Sequence, residues 1–112
     1  MKTNELKNYD FHDSLLENIS FDEKTKKLRL DIDFCNWKQK NYVDGDAETY
    51  MIALVFERFF SATIPEIKLN SDQIVGFNVT DNQKVKIEAY NDVVKDCYSV
   101  IINAKEVEIV VV

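Results

Sequence analysis

The chain has 112 residues, 46% of them hydrophobic, and carries 20 acidic side chains against 14 basic ones for a net charge of -6. That is apolar material for one core in a single domain over residues 1–112, and too much for a disordered chain. The acidity argues against nonspecific binding to nucleic acid or an anionic membrane, where affinity comes from Lys and Arg displacing counterions; it suits solubility, or a basic protein partner.

Residues 1–8 read as a loose arm or a short helical turn. The stretch through Tyr9 is polar and lacks the apolar core of a signal peptide, and no later segment has the apolar length of a membrane span, so the expected location is the cytoplasm. Leu15, Ile19 and Phe21 fall on one face of a first strand. After the polar turn at residues 22–26 comes the clearest strand in the chain, with Leu28, Leu30, Ile32 and Phe34 on one side and Arg29, Asp31 and Asp33 on the other. The two form a hairpin.

Residues 35–48 make a long polar loop, and residues 50–60 are apolar on both faces until Glu57 and Arg58. Helix and buried strand both fit that run; its aromatic content favours strand. Pro65 opens a turn. Val75, Phe77 and Val79 share one face of the next strand, Asp81-Asn82-Gln83 turns the chain, and Val85, Ile87 and Ala89 return. Tyr98, Val100 and Ile102 form a further strand, residues 103–105 turn, and Val107, Ile109 and Val111 close the chain facing the core. The sum is a mostly β fold: an antiparallel meander of six to eight strands forming a sandwich or partial barrel, with at most one short helix. With two glycines and one proline, the turns must rest mainly on Asn and Asp, which tolerate left-handed backbone.

The residue types of catalysis and metal binding are sparse. His12 is the sole histidine. On an extended chain His12 and Asp13 point apart, so they do not form an orienting pair, and nothing near in sequence supports a Cys35–His12 dyad. His12 reads instead as a structural side chain at the start of the first strand. Asp31, Asp33, Asp44, Asp46 and Glu48 do not match a calcium loop, Cys35 and Cys97 lack paired spacing and read as buried free thiols, and Gly45 and Gly76 make no phosphate cradle. No metal or cofactor is expected, and the chain reads as a binding protein and not an enzyme. The best binding candidate is the long loop, where Trp37 and Tyr42 stand beside Asp44 and Asp46: aromatics to anchor a partner, acids to select its charge. The alternative is that Trp37 packs over one end of the core.

Phe11-His12-Asp13, followed by the strands at residues 15–21 and 28–34, resembles the start of bacterial immunity proteins of the immunity protein 50 family and of uncharacterised domains that open with an aromatic-His-Asp motif. The order of the later elements is similar, through Leu54-Val55-Phe56-Glu57 to a closing apolar hairpin. The chain departs in having Asn8-Tyr9-Asp10 where a Trp-Pro is expected. The resemblance implies a stoichiometric antitoxin that binds and blocks a basic toxin, with no catalytic residue. A small-molecule-binding β-barrel, an enzyme using His12, or a structural interaction subunit are the alternatives.

Overall fold

The computed structural model describes the backbone of residues 1–112 and every side chain except those of Phe59 and Phe60. The alternating stretches become six antiparallel strands: β1 (Leu15–Asp22), β2 (Lys27–Cys35), β3 (Thr49–Thr63), β4 (Asp72–Val79), β5 (Lys84–Asn91) and β6 (Asp96–Val111). They close into a barrel in the order β1-β2-β3-β6-β5-β4. Two three-stranded meanders, β1-β2-β3 and β4-β5-β6, are thus joined at two seams. No α-helix forms among the described residues; two 3-10 turns, Thr3–Asn8 and Asn36–Lys38, complete the structure. Among them no helix is long and apolar enough to cross a membrane.

The core follows from alternation where the strands are regular. Leu28, Leu30, Ile32 and Phe34 of β2 and Val85, Ile87 and Ala89 of β5 are all buried, as the period of two predicts. The run at residues 50–60 is strand: Ile52, Leu54 and Phe56 face inward. Its outer face is apolar as well, and Ala53 there is fully buried, opposite Asp31 of β2 and Val110 of β6.

Bulges explain where the expected faces were wrong. β1 shifts register between Leu16 and Asn18, so Leu16, not Leu15, is buried; Ile19 then packs on the core, while Phe21 at the strand end is exposed. β4 shifts between Ile74 and Gly76, which buries Ile74 and leaves Val75 exposed. An extra residue reverses the inward phase of everything that follows it. The turn expected at residues 103–105 does not exist: β6 runs unbroken past it, opposite the left-handed Arg58 (φ 50°). The tail behaves as expected at Val107, which is buried, and partly at Ile109; Val111 lies at the barrel end and is 67% exposed.

The turns also differ from expectation. In the three hairpins the left-handed positions are taken by Lys26, Gln83 and Lys95. The short polar side chains act one step earlier, as acceptors: Asp22 Oδ1 takes the N–H groups of Lys24 and Thr25, and Asn91 Oδ1 those of Val93 and Val94.

The N-terminus is no loose arm. The Met1 ammonium donates to the Val107 carbonyl at 3.0 Å and the Val107 N–H returns a bond to the Met1 carbonyl, also at 3.0 Å. The first 3-10 turn follows, packs against β4, β5 and β6, and drives Leu6 fully into the core. Phe11 comes next, buried and stacked on Phe77 of β4 with centroids 4.2 Å apart.

A second polar knot fixes the other crossing segment. Buried Asp72 at the start of β4 accepts bonds from the Asn70 N–H, from the Asn91 amide (3.0 Å to each oxygen) and from the Tyr98 hydroxyl at 2.7 Å. Burial, then the adjacent Asp72, pushes the Tyr98 phenol far above its ordinary pKa. The Asn91 amide also reaches the Lys68 carbonyl, so the irregular residues 64–71 are tied to the β5–β6 turn.

Candidate functional site

β1 and β4 meet only at Leu15↔Gln73 and Leu16↔Asp72. Each strand then leaves the junction in the opposite direction, since the pair is antiparallel and both strands begin there. Phe11-His12-Asp13 lies at this junction. Asp13 adopts φ 69°, a left-handed turn that extended-chain reasoning does not anticipate. Its N–H donates to the Ile74 carbonyl at 2.9 Å, and the Ile74 N–H donates to the Ser14 carbonyl at 2.8 Å.

That turn overturns the expectation that His12 and Asp13 point apart. His12 Nδ1 lies 3.2 Å from Asp13 Oδ1, and Lys38 Nζ lies 3.0 Å from Asp13 Oδ2. The Gln73 amide donates to Asp13 Oδ1 at 2.7 Å. The hydrogen bonds from Lys38 and Gln73 hold the Asp13 carboxyl below its ordinary range, and the Asp13 partner raises Lys38 in turn. Lys38 Nζ also stands 3.5 Å from His12 Nδ1. Half of the His12 side chain is exposed, so it is a surface group and not a packed structural one.

Cys35 and Ser14 sit behind this cluster. Ser14, fully buried, accepts the Cys35 N–H at 3.0 Å, and the Cys35 thiol donates to the Asp13 carbonyl at 3.3 Å. Burial, above all, pushes the Cys35 thiol up, away from the thiolate that a nucleophile needs. Cys97, expected to be buried like Cys35, is exposed; both are free.

The long loop stands beside this cluster. Its base is pinned by the Asn36 and Trp37 N–H groups, both donating to the Glu48 carbonyl, and by the Asn36 amide on the Ala47 carbonyl. Trp37 does not cap the core: it is 50% exposed, with the Lys38 ammonium 5.4 Å from its ring centroid. Asp44 and Asp46 are exposed, and Asp46 closes the tip by accepting the Val43 N–H at 3.2 Å around Gly45 (φ 100°). The Tyr42 hydroxyl donates to the Asp46 carbonyl at 3.4 Å. Trp37, Tyr42, Asp44 and Asp46 therefore share one pinned loop, while Phe11, His12 and Asp13 form the neighbouring junction.

The sequence did not single out Lys38, Gln39 or Gln73. Gln39 is central: its Oε1 accepts the Asp10 N–H at 3.0 Å and its amide donates to the carbonyls of Asp10 (2.7 Å) and Cys35 (2.9 Å). Only the Lys-Gln-Lys run at residues 38–40 could have drawn notice, and without knowing the fold nothing places it against residues 10–13. Among the described residues no group of His, Cys, Asp and Glu is arranged to hold a metal ion. No protein-family model, curated protein or solved structure matches the chain.

Proposed function

We propose that this chain is a protein-binding module of immunity type, acting in the bacterial cytoplasm to block a basic toxin by stoichiometric contact through the loop between β2 and β3. The observation that carries this reading is Trp37, half exposed on a turn whose backbone is pinned at both ends. Exposed Trp on a rigid base is the usual anchor of an interface, since it brings large area at little entropic cost. Exposed Asp44, Asp46 and Glu48 on the same loop supply the charge that would steer a basic surface toward it. The resemblance of Phe11-His12-Asp13 to immunity proteins points the same way.

The barrel interior supports protein binding over an internal ligand. Leu30, Ile32, Leu54, Ile74, Ile87 and Ile102 from five strands are fully buried, and they fill the space that a ligand would occupy. The test is capture of a partner on the intact chain, followed by binding kinetics. Trp37→Ala should cost about 2 kcal/mol or more of affinity, the scale of an interface anchor. Asp44→Lys with Asp46→Lys should slow association at low salt and flatten its dependence on ionic strength. A partner that binds all three forms alike removes this loop from the interface.

A further inference from the structure

An open cleft of about 460 Å³ lies between the N-terminal 3-10 turn and residues 38–40. In a chain of net charge -6 its lining is basic: Lys7, Lys38, Lys40 and His12 face one carboxylate, Asp10. Asp10 spends one oxygen on the His12 N–H at 2.9 Å. The three lysines are committed to different degrees. Lys38 is held by Asp13 with 19% of its side chain exposed. Lys7 pairs with Asp81 at 3.1 Å, but both are well exposed, and such a pair exchanges readily for another anion. Lys40 is exposed and has no ion pair among the described residues.

The remaining wall is aromatic. Tyr9, 39% exposed, and half-buried Phe77 both line the cleft, and Phe77 is fixed by its stack on buried Phe11. The two sides are tied before any ligand arrives, because Gln39 makes its two hydrogen bonds to the Asp10 backbone across the gap. A fixed cleft avoids the ordering cost of assembling one. Its volume lies within the range of small-molecule sites.

We propose that this cleft is a binding site for a small anion bearing a flat ring, of the nucleoside monophosphate class, with the phosphate on Lys40 and Lys7 and the ring against Tyr9 and Phe77. Lysine ammonium groups meet phosphate as point charges, and bases stack on aromatic faces without strong sequence preference. The cleft takes Lys38, Gln39 and Lys40 from the same loop that carries Trp37, but it opens toward the N-terminal turn and does not include Trp37, Tyr42, Asp44 or Asp46.

The test is an NMR titration of the full chain at low ionic strength with AMP, adenosine and inorganic phosphate. AMP should bind with Kd on the order of 1 mM or tighter, and shift the amides of residues 7–12 and 38–40 together with Phe77. Adenosine and phosphate should each bind at least about fivefold more weakly, because each keeps only one of the two contacts. Lys40→Glu should weaken AMP about tenfold, and Asp81→Asn, which releases Lys7, should strengthen it about twofold. Absence of shifts at about 10 mM AMP, shifts centred elsewhere, or an unchanged affinity in Lys40→Glu would overturn the site. Phosphate binding as tightly as AMP would overturn the ring-bearing class.

Discussion

The barrel is held by two seams of very different construction. At the wide seam β3 and β6 are paired from Ile52↔Val111 to Thr63↔Ile101, and backbone hydrogen bonds do the joining. At the narrow seam β1 and β4 share two residue pairs, and side chains do much of what the backbone does elsewhere. The Gln73 amide donates to the Asp13 carboxylate and Phe11 stacks on Phe77, beside the backbone bonds of Ile74 with Asp13 and Ser14; next to the seam, Ser14 accepts the N–H of Cys35 at the end of β2. The difference teaches where function is accommodated. Ladder pairing uses every backbone group and leaves none to address, whereas a short overlap leaves strand edges that must be covered by other segments. The N-terminal turn packs beside β4, and residues 64–69 line a cleft with Glu17, Asn18 and Ile19 of β1. The basic cleft and the aromatic loop both lie around the narrow seam.

The largest expected effect lies at the wide seam. Deleting residues 106–112 removes the partners of β3 from Ile52 to Glu57, the buried Val107 and the anchor of Met1. We expect no cooperative thermal melt and an insoluble product, since a domain stable by about 5–15 kcal/mol cannot lose the end of β6 that pairs with β3 from Ile52 to Glu57. Glu108→Lys, on the exposed outer side, should stay within about 0.5 kcal/mol of the parent. A soluble truncated chain with a cooperative melt would show that the wide seam is dispensable and reverse the comparison.

At the narrow seam the expected effect is smaller. Ser14→Ala strands the Cys35 N–H in a buried place, at a cost of about 1–3 kcal/mol in a denaturant titration. A value near zero would mean that this side chain does not help to hold the end of β2 against the junction.

The smallest effect is one of pH. The carboxyl of Asp13 has a folded-state pKa below the ordinary 3.8, so its contribution is present above that value and fades as pH falls through the lower, folded one. Asp13→Asn should therefore make stability less steep in pH below about 3.8, and leave the slope near neutrality unchanged. Identical acid melts of the two proteins would remove Asp13 from the seam's electrostatics.

Sequence reasoning reached the regular parts and stopped at the irregular ones, for a physical reason. β2 and β5 alternate without interruption, so period-two reading assigns each of their inward residues. In β1 and β4 one bulge residue reverses the phase, and no residue type marks it: Leu15 and Leu16 are chemically alike, as are Ile74 and Val75. The Trp37 loop was legible as an aromatic and acidic cluster, because its members are near in sequence. The Asp13 cluster was not, because Lys38 arrives from the 3-10 turn after β2 and Gln73 from β4, and the left-handed turn at Asp13 carries no glycine to announce it.

The wide seam has a further consequence, in chain entropy. Its pairs join residues 38 (101 - 63) to 59 (111 - 52) positions apart, whereas every other long ladder links neighbouring strands across a local connection. Each meander can form from its own hairpins, but the ordering entropy of the long connection is spent before any β3–β6 contact repays it. The most extensive join in the finished barrel thus bears its loop-closure cost before its own contacts offset it. Until it forms, the inner face of β3 and the valine-rich end of β6 are both open to water and to other chains.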